Sequence, residues 1–185
     1  MTGRTRTWLG AAAVAAYIAT IAAANWLTAR YGFVPVGFGL TATAGTYAIG
    51  FAFVFRILIQ EAFGMGYQGR LIMFAAILTG AAFSWKLATP ALAWASGVTF
   101  LVSETADWAV YTPFRRRGWA RAAIAGNTVG ATVDTFLFLW LAGFPVLAAV
   151  PGQMVGKAYA TVIYLAAGWL ARRALLRHAV HAAGA

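Results

Sequence analysis

The sequence predicts an all-α integral membrane protein, a bundle of six transmembrane helices. Three observations predict it. The 185 residues are 62% hydrophobic and only 10% charged, whereas a soluble domain lies near half apolar and a quarter charged. Apolar runs of about 20 residues follow one another, the length that crosses a hydrocarbon core. The breaks between the runs are short and punctuated by glycine and proline, which implies antiparallel neighbours. A single domain over 1–185 follows, with no room for a soluble catalytic unit beside the spans.

In chain order, the first span is Trp8 to Ala29, without a charge. It is too long for a cleaved signal peptide, and five further spans follow it. The second is Leu40 to Ile59, with Arg56 near its end. The third, Leu71 to Ala88, includes Lys86 and is the shortest. Pro90 to Tyr111, Trp119 to Phe144 and Gln153 to Leu176 complete the set. "RYGFVPVGFG", "EAFGMGYQGR", "KLATP", "TPFRRRG" and "FPVLAAVPG" read as the linkers. Trp85, Trp108 and Trp119 sit near span ends, as interfacial aromatics do.

The net charge of +10 raises nucleic acid as a partner. The basic residues nevertheless sit at the ends of apolar runs, which fits loop anchoring and anionic lipid head groups better, so no nucleic-acid partner is expected. Their asymmetry sets orientation. With the N-terminus in the cytosol, Arg4, Arg6, Arg56, Arg70, Arg115, Arg116, Arg117, Arg121, Arg172, Arg173 and Arg177 fall on the cytosolic side. Only Arg30, Lys86 and Lys157 fall toward the outside. Both termini are therefore expected in the cytosol, in the cytoplasmic membrane. There is no cysteine, hence no disulfide framework or thiolate chemistry.

Asp and Glu number four in all. Glu61 falls in a cytosolic linker, but Glu104, Asp107 and Asp134 fall inside apolar spans. An ionised carboxylate at a helix centre costs about 2.5–3.5 kcal/mol even on a lenient insertion scale. Glu104, Asp107 and Tyr111 are spaced i, i+3, i+7 and share one helix face; Asn127 and Asp134 share a face of the fifth span. By helical rise these groups reach a common depth near the midplane. Two readings stay open. The acids face the bundle interior as a solute or proton site, or they pair with cations: Asp107 with Arg115 or Arg121, Asp134 with Lys157. Glu104 is the deepest and has no cation expected beside it.

Other features point to packing. "GNTVG" (Gly126 to Gly130) and "GQMVG" (Gly152 to Gly156) have the Gly-x-x-x-Gly spacing that lets helix backbones approach. Alanines at four-residue steps in the first span do the same. "GQMVGKA" lacks the spacing and the hydroxyl residue of a phosphate loop. His178 and His181 have no third ligand near them in sequence, so neither a metal nor a cofactor is expected. An intramembrane serine protease needs a histidine base within reach, and both histidines lie in the tail, so no enzyme is expected.

"SETADWAVYTPFRRRGW", "GNTVGATVDTFLFLWLAGF" and "PGQMVGKAY" together resemble the VUT family of vitamin uptake or queuosine precursor transporters. Over about residues 96–165 the shared pattern is Ser-Glu-x-x-Asp, Asn-Thr-x-Gly-x-x-x-Asp and Gly-Lys. "GTYAIGFAFVFRILIQEAFG" agrees in the N-terminal half, with Ile57 after Arg56 where the family commonly has an acid. The resemblance implies six helices, a fold similar to the substrate subunits of ECF vitamin transporters, and import of 7-cyano- or 7-aminomethyl-7-deazaguanine. It makes Glu104, Asp107, Asn127, Asp134, Lys157 and Arg56 the candidate substrate-binding residues.

Such a base suits buried carboxylates, which accept adjacent N–H donors in strong charged bonds. A cationic vitamin, a polyamine or a proton relay would suit them as well. The alternatives are an ECF-type substrate subunit for another vitamin or purine-like solute, docked through its first span on a separate ATPase module, and a membrane interaction protein that transports nothing. A homo-oligomer is a further possibility for the assembly.

Overall fold

The computed structural model describes residues 3–183, with side chains over 7–163 and at Leu165, Ala166 and Trp169. Among the described residues there are six α-helices and one β-hairpin. Helix α1 spans Gly3–Tyr31. Strands β1 (Phe33–Gly37) and β2 (Leu40–Thr43) follow, then α2 (Thr46–Phe63), α3 (Tyr67–Leu87) and α4 (Pro90–Phe114). A short 3-10 turn at Arg115–Arg117 leads into α5 (Trp119–Leu141) and α6 (Val146–Ala183).

Five of these helices are long and apolar enough to cross a membrane. The exception is α4, whose 25 residues are long enough but carry Glu104 and Asp107. The molecule is a multi-pass helical bundle. Helix α4 lies along α5, α1 along α2 and α3, and α2 along α6. The apolar core joins Tyr17, Ile21, Ile59, Met73, Ile77 and Phe100. On α1 the inward face repeats at Ala13, Tyr17, Ile21, Ala24 and Thr28, while Ala11, Ala15, Ala19 and Ala23 are exposed.

The hairpin corrects the second span, which was expected from Leu40. Residues 33–43 pair as antiparallel strands, with Phe33 opposite Thr43 and Pro35 opposite Thr41. The turn needs positive φ at Gly37, Phe38 and Gly39, which glycine adopts freely. The helix begins only at Thr46. Other boundaries move as well: α1 starts at Gly3, α2 ends at Phe63, α3 starts at Tyr67 and α4 ends at Phe114, while α5 ends at Leu141, short of Phe144, and α6 starts at Val146, seven residues before Gln153. Pro151 lies inside α6 and costs the helix a single backbone bond, to the carbonyl four residues earlier.

The small residues of "GQMVG" let α6 approach the hairpin and α2 closely. A side chain at Gly152 would lie 2.0 Å from the carbonyl oxygen of Thr41, and one at Gly156 2.8 Å from Thr46. Helix α6 thus lies directly against β2 and the first turn of α2. Gly50 meets Ala160 of α6 in the same close manner.

Candidate functional site

Arg56 is the largest side chain with no exposed surface. It was expected at the cytosolic end of its span, but α2 runs on to Phe63, two turns past it. The guanidinium is held between the two acids of α4. Nε lies 3.3 Å from Glu104 Oε2, and Nη2 lies 2.7 Å from Asp107 Oδ2. Nη1 donates to Gln60 Oε1 at 2.8 Å, and Nη2 to Asn127 Oδ1 at 3.1 Å. The ring of Tyr111 lies 5.2 Å from the guanidinium carbon, close enough for a cation–π contact.

Two expectations are corrected here. Glu104 does have a cation, Arg56, and it also accepts the hydroxyl of Tyr17 at 3.0 Å. Asp107 pairs with Arg56 rather than with Arg115 or Arg121. Arg115 turns to Glu61 at the surface, with Nε 2.5 Å from Oε1 and Nη2 3.0 Å from Oε2. Glu61 lies in the last turn of α2, not in a linker, and also accepts the Tyr111 hydroxyl at 2.8 Å. This bidentate pair ties α2 to the end of α4 and holds the Arg115 guanidinium firmly in its charged form.

The Gly-x-x-x-Gly of α5 seats Asp107. A side chain at Gly126 would lie 2.2 Å from Asp107 Oδ1, and one at Gly130 2.9 Å from Asp107 Cβ. The carboxylate rests on bare helix backbone between the two glycines. Packing and charge, which the sequence presents as separate features, are one contact.

Asp134 and Lys157 meet, which was one of the two readings left open for this acid. Lys157 Nζ donates to Asp134 Oδ2 at 2.5 Å and to Thr135 Oγ1 at 2.7 Å, with both charged groups buried. Beyond its bond from Arg56, Asn127 donates to Thr161 Oγ1 of α6 at 3.4 Å. The six candidate residues thus fall into two groups, linked from Asn127 through Thr161, whose hydroxyl donates to the Lys157 carbonyl at 3.3 Å. Arg56, Glu104, Asp107 and Asn127 form one group, and Asp134 with Lys157 forms the other.

A small cavity lies beside the second group, beneath the hairpin. Its lining includes Asn25 of α1, Thr46 of α2, Ser96 and Phe100 of α4, Asp134 and Phe138 of α5, and Gln153 and Lys157 of α6. Its volume of about 20 Å³ admits about one water molecule. Gln153 closes it on the hairpin side, donating to Thr43 Oγ1 at 2.9 Å and accepting from the Thr46 hydroxyl. Asn25 donates to Ser84 Oγ at 2.9 Å and to Ser96 Oγ at 2.7 Å.

Residues 83–171 match the family model described as "Putative vitamin uptake transporter". Over that segment the protein is similar to the VUT family. The matched segment carries Glu104, Asp107, Asn127, Asp134 and Lys157, while Arg56 and the hairpin lie before it. No curated protein and no solved structure matches the chain. Ile57, where the VUT pattern commonly has an acid, has no exposed surface and sits among Tyr111, Ala122 and Ala123.

Tyr17, Asn25, Gln60 and Gln153 were not among the residues singled out by sequence. Each is an uncharged polar residue inside an apolar run, and its spacing to the inward face of its helix is the available signal. Trp108, expected in an interfacial belt, is buried. Among the described residues no cluster of three His, Cys, Asp or Glu is placed to hold a metal ion. The side chains of His178 and His181 lie outside the described set, as do those of Arg4, Arg6, Arg172, Arg173 and Arg177.

Proposed function

We infer that the protein imports a queuosine precursor, 7-cyano- or 7-aminomethyl-7-deazaguanine, across the cytoplasmic membrane, and that it is no enzyme. The observation that carries the reading is the cavity beneath the hairpin. Five helices turn hydrogen-bonding side chains onto one enclosed point of a membrane bundle, where polar groups are costly unless they have a task. Asp134 can accept two adjacent N–H groups of a guanine-like edge, a strong charged contact. The Asn25 amide and the Ser96 hydroxyl serve the other polar atoms of the ring. Phe100 and Phe138 offer faces for stacking. A bicyclic base needs more room than one water, so the hairpin moves away from Gln153 to admit it.

The orientation follows from charges at the surface. Arg70, Arg115, Arg116, Arg117 and Arg121 sit at one end of the bundle, and Arg30 and Lys86 at the other. Arg56 and Lys157 drop out of this asymmetry because both are buried, and its sign is unchanged. The termini then face the cytosol and the hairpin faces outward, where solute arrives.

Uptake of labelled 7-aminomethyl-7-deazaguanine is the test, in cells that lack both synthesis and an importer of their own. Cells carrying the chain should accumulate label, and unlabelled 7-cyano-7-deazaguanine should compete. Equal accumulation with and without the chain, or competition only by unrelated vitamins, overturns the reading.

One observation favours a second arrangement, a substrate subunit docked on an ATPase module. The exposed alanine face of α1 borders a groove of about 730 Å³ lined by Ala12, Ala16, Leu58 and Glu61 among others. Small residues on such a face permit close helix contact. Uptake that stops when an ATPase module is deleted from the host would support it.

A further inference from the structure

The described bundle buries five charged side chains whose charges do not cancel. Arg56 and Lys157 are positive; Glu104, Asp107 and Asp134 are acids; none is more than 5% exposed. Lys157 and Asp134 close on each other at 2.5 Å. Arg56 is left to serve two carboxyls, 2.7 Å from Asp107 and 3.3 Å from Glu104. Asp107 is the better paired, so Glu104 is the surplus acid. A buried carboxylate without full compensation is strongly disfavoured, and taking up a proton is the usual relief.

Hydrogen bonding does not by itself separate the two acids; the closer ion pair does. Glu104 Oε1 accepts the Tyr17 hydroxyl, but the buried Oε2 accepts no hydrogen bond; its approach to Arg56 Nε is close but poorly aligned. Neither oxygen of Asp107 accepts an aligned bond either. Access then separates the two acids. Asp107 is pressed against Gly126 and Gly130. Glu104 instead lines a cavity of about 190 Å³ between α3 and α4, together with Trp108 and with Arg70 from the first turn of α3. In the proposed orientation Arg70 marks the cytosolic end. The buried indole N–H of Trp108 has no acceptor, so the cavity wall offers both a free donor and a carboxyl.

We propose that Glu104 is an exchangeable proton site, loaded while the bundle holds no solute and emptied to the cytosol through the α3–α4 cavity when a donor-rich or cationic solute binds. The step balances simply. The O–H bond of the Glu104 carboxyl breaks, its proton passes to cavity water and on to the cytosol, and the carboxylate that remains compensates the solute's positive or N–H groups. This rests on the solute-transport reading above and adds the coupling ion to it. The groups facing Glu104 are Tyr17 from α1, Arg56 from α2, Arg70 from α3, Asp107 on its own helix and Asp134 from α5, with Lys157 of α6 engaged by Asp134.

Infrared spectroscopy of the purified chain near neutral pH tests the site without any solute. A protonated-carboxyl band should shift when glutamate side chains carry carbon-13 and stay fixed when aspartates do. Glu61 is the other glutamate, so Glu104→Gln should abolish the band, and Glu104→Asp should move it. Asp107→Asn should abolish it too, because Arg56 then has one acid to serve and Glu104 ionises. A band that follows the aspartate label, or no protonated carboxyl at all, overturns the proposal.

Coupling is read with a pH-indicator dye in weak buffer. Binding of 7-aminomethyl-7-deazaguanine should release about one proton per ligand in the native chain and none in Asp107→Asn. Binding without release overturns the coupling while the transport reading stands. No binding, with the band assigned to Glu104, upholds the proton site and overturns its coupling to these bases.

Discussion

The carboxylate of Asp107 lies within 2.7 Å of Arg56 Nη2 on one side, and on the other it rests in the gap left by Gly126, where a β-carbon would come within 2.2 Å of Oδ1. One acid therefore joins three helices: α4, which carries it, α2, which supplies the cation, and α5, which supplies the space. Burying ions is costly, and a pair recovers that cost only with good geometry and further hydrogen bonds. Here Gln60 and Asn127 supply them to the arginine. The arrangement fixes how α2, α4 and α5 sit around the candidate site.

Arg56→Met is expected to destabilise the bundle by roughly 3–5 kcal/mol, because it leaves two buried acids without a cation. Arg56→Lys should recover only part of that loss. An ammonium is a compact point charge and cannot reach Glu104, Asp107, Gln60 and Asn127 at once, as the planar fork does. Denaturation midpoints in detergent read the ranking. Equal stability of the lysine variant and the native chain would show that charge alone matters at this position.

Gly126→Ala should cost about 1–3 kcal/mol, the usual range for overpacking. Its β-carbon meets a buried carboxylate oxygen that has nowhere to withdraw without leaving Arg56. Gly97→Ala is the control. Its β-carbon would meet Ala81 Cβ at 3.3 Å, a tightness that neighbours relieve by a small shift. Thermal melts of the two variants should differ clearly, and equal melting would mean that Asp107 repositions freely.

Asp134 and Lys157 should behave as a unit. Asp134→Asn and Lys157→Met each strand a buried charge, at roughly 3–5 kcal/mol. The double variant strands none, so its loss should be well below the sum of the singles. A double-mutant cycle on stability measures the coupling, which for a contacting pair runs to about 0.5–3 kcal/mol. Additive losses would mean that the 2.5 Å contact contributes nothing to folding.

The Asp134–Lys157 pair was legible in the sequence because both residues sit unambiguously inside their spans, on helices that neighbour through a short linker. Arg56 was not legible. An arginine seven residues before the end of α2 looks like an interfacial anchor when Gln60 and Glu61 appear to end the apolar run. In the fold Gln60 is buried as the arginine's partner, and the helix continues about 10 Å beyond Arg56. Glu104 therefore seemed to lack a cation. The hairpin was hidden for a related reason. "RYGFVPVGFG" has a β-run of only a few residues between glycines, and the pairing with residues 40–43 recruits what reads as the start of a membrane span. Six helices follow from hydropathy; which polar residues meet depends on helix rotation, and a low-contrast apolar sequence specifies rotation mainly through its glycines.

The last prediction concerns Gln153, which joins α6 to the hairpin over the small cavity. It donates to Thr43 and accepts from Thr46. Gln153→Leu keeps the bulk and removes both bonds. The two threonines are left 3.1 Å apart and already within bonding distance of each other, so neither hydroxyl is stranded. The stability cost should be modest, about 1 kcal/mol, the net worth of ordinary hydrogen bonds. The hairpin keeps other ties, from Tyr159 to the Val36 carbonyl at 3.1 Å and between the rings of Phe33 and Phe144 at 5.3 Å. The expected change is therefore local: faster amide hydrogen exchange over 33–43, with the protection of α4 and α5 unchanged. Solute should exchange faster with the site in the same variant, since the cover opens more often. If residues 33–43 exchange as slowly as in the native chain, Gln153 does not hold the hairpin down, and the aromatic and backbone contacts with Tyr159 and Phe144 are what close the cavity.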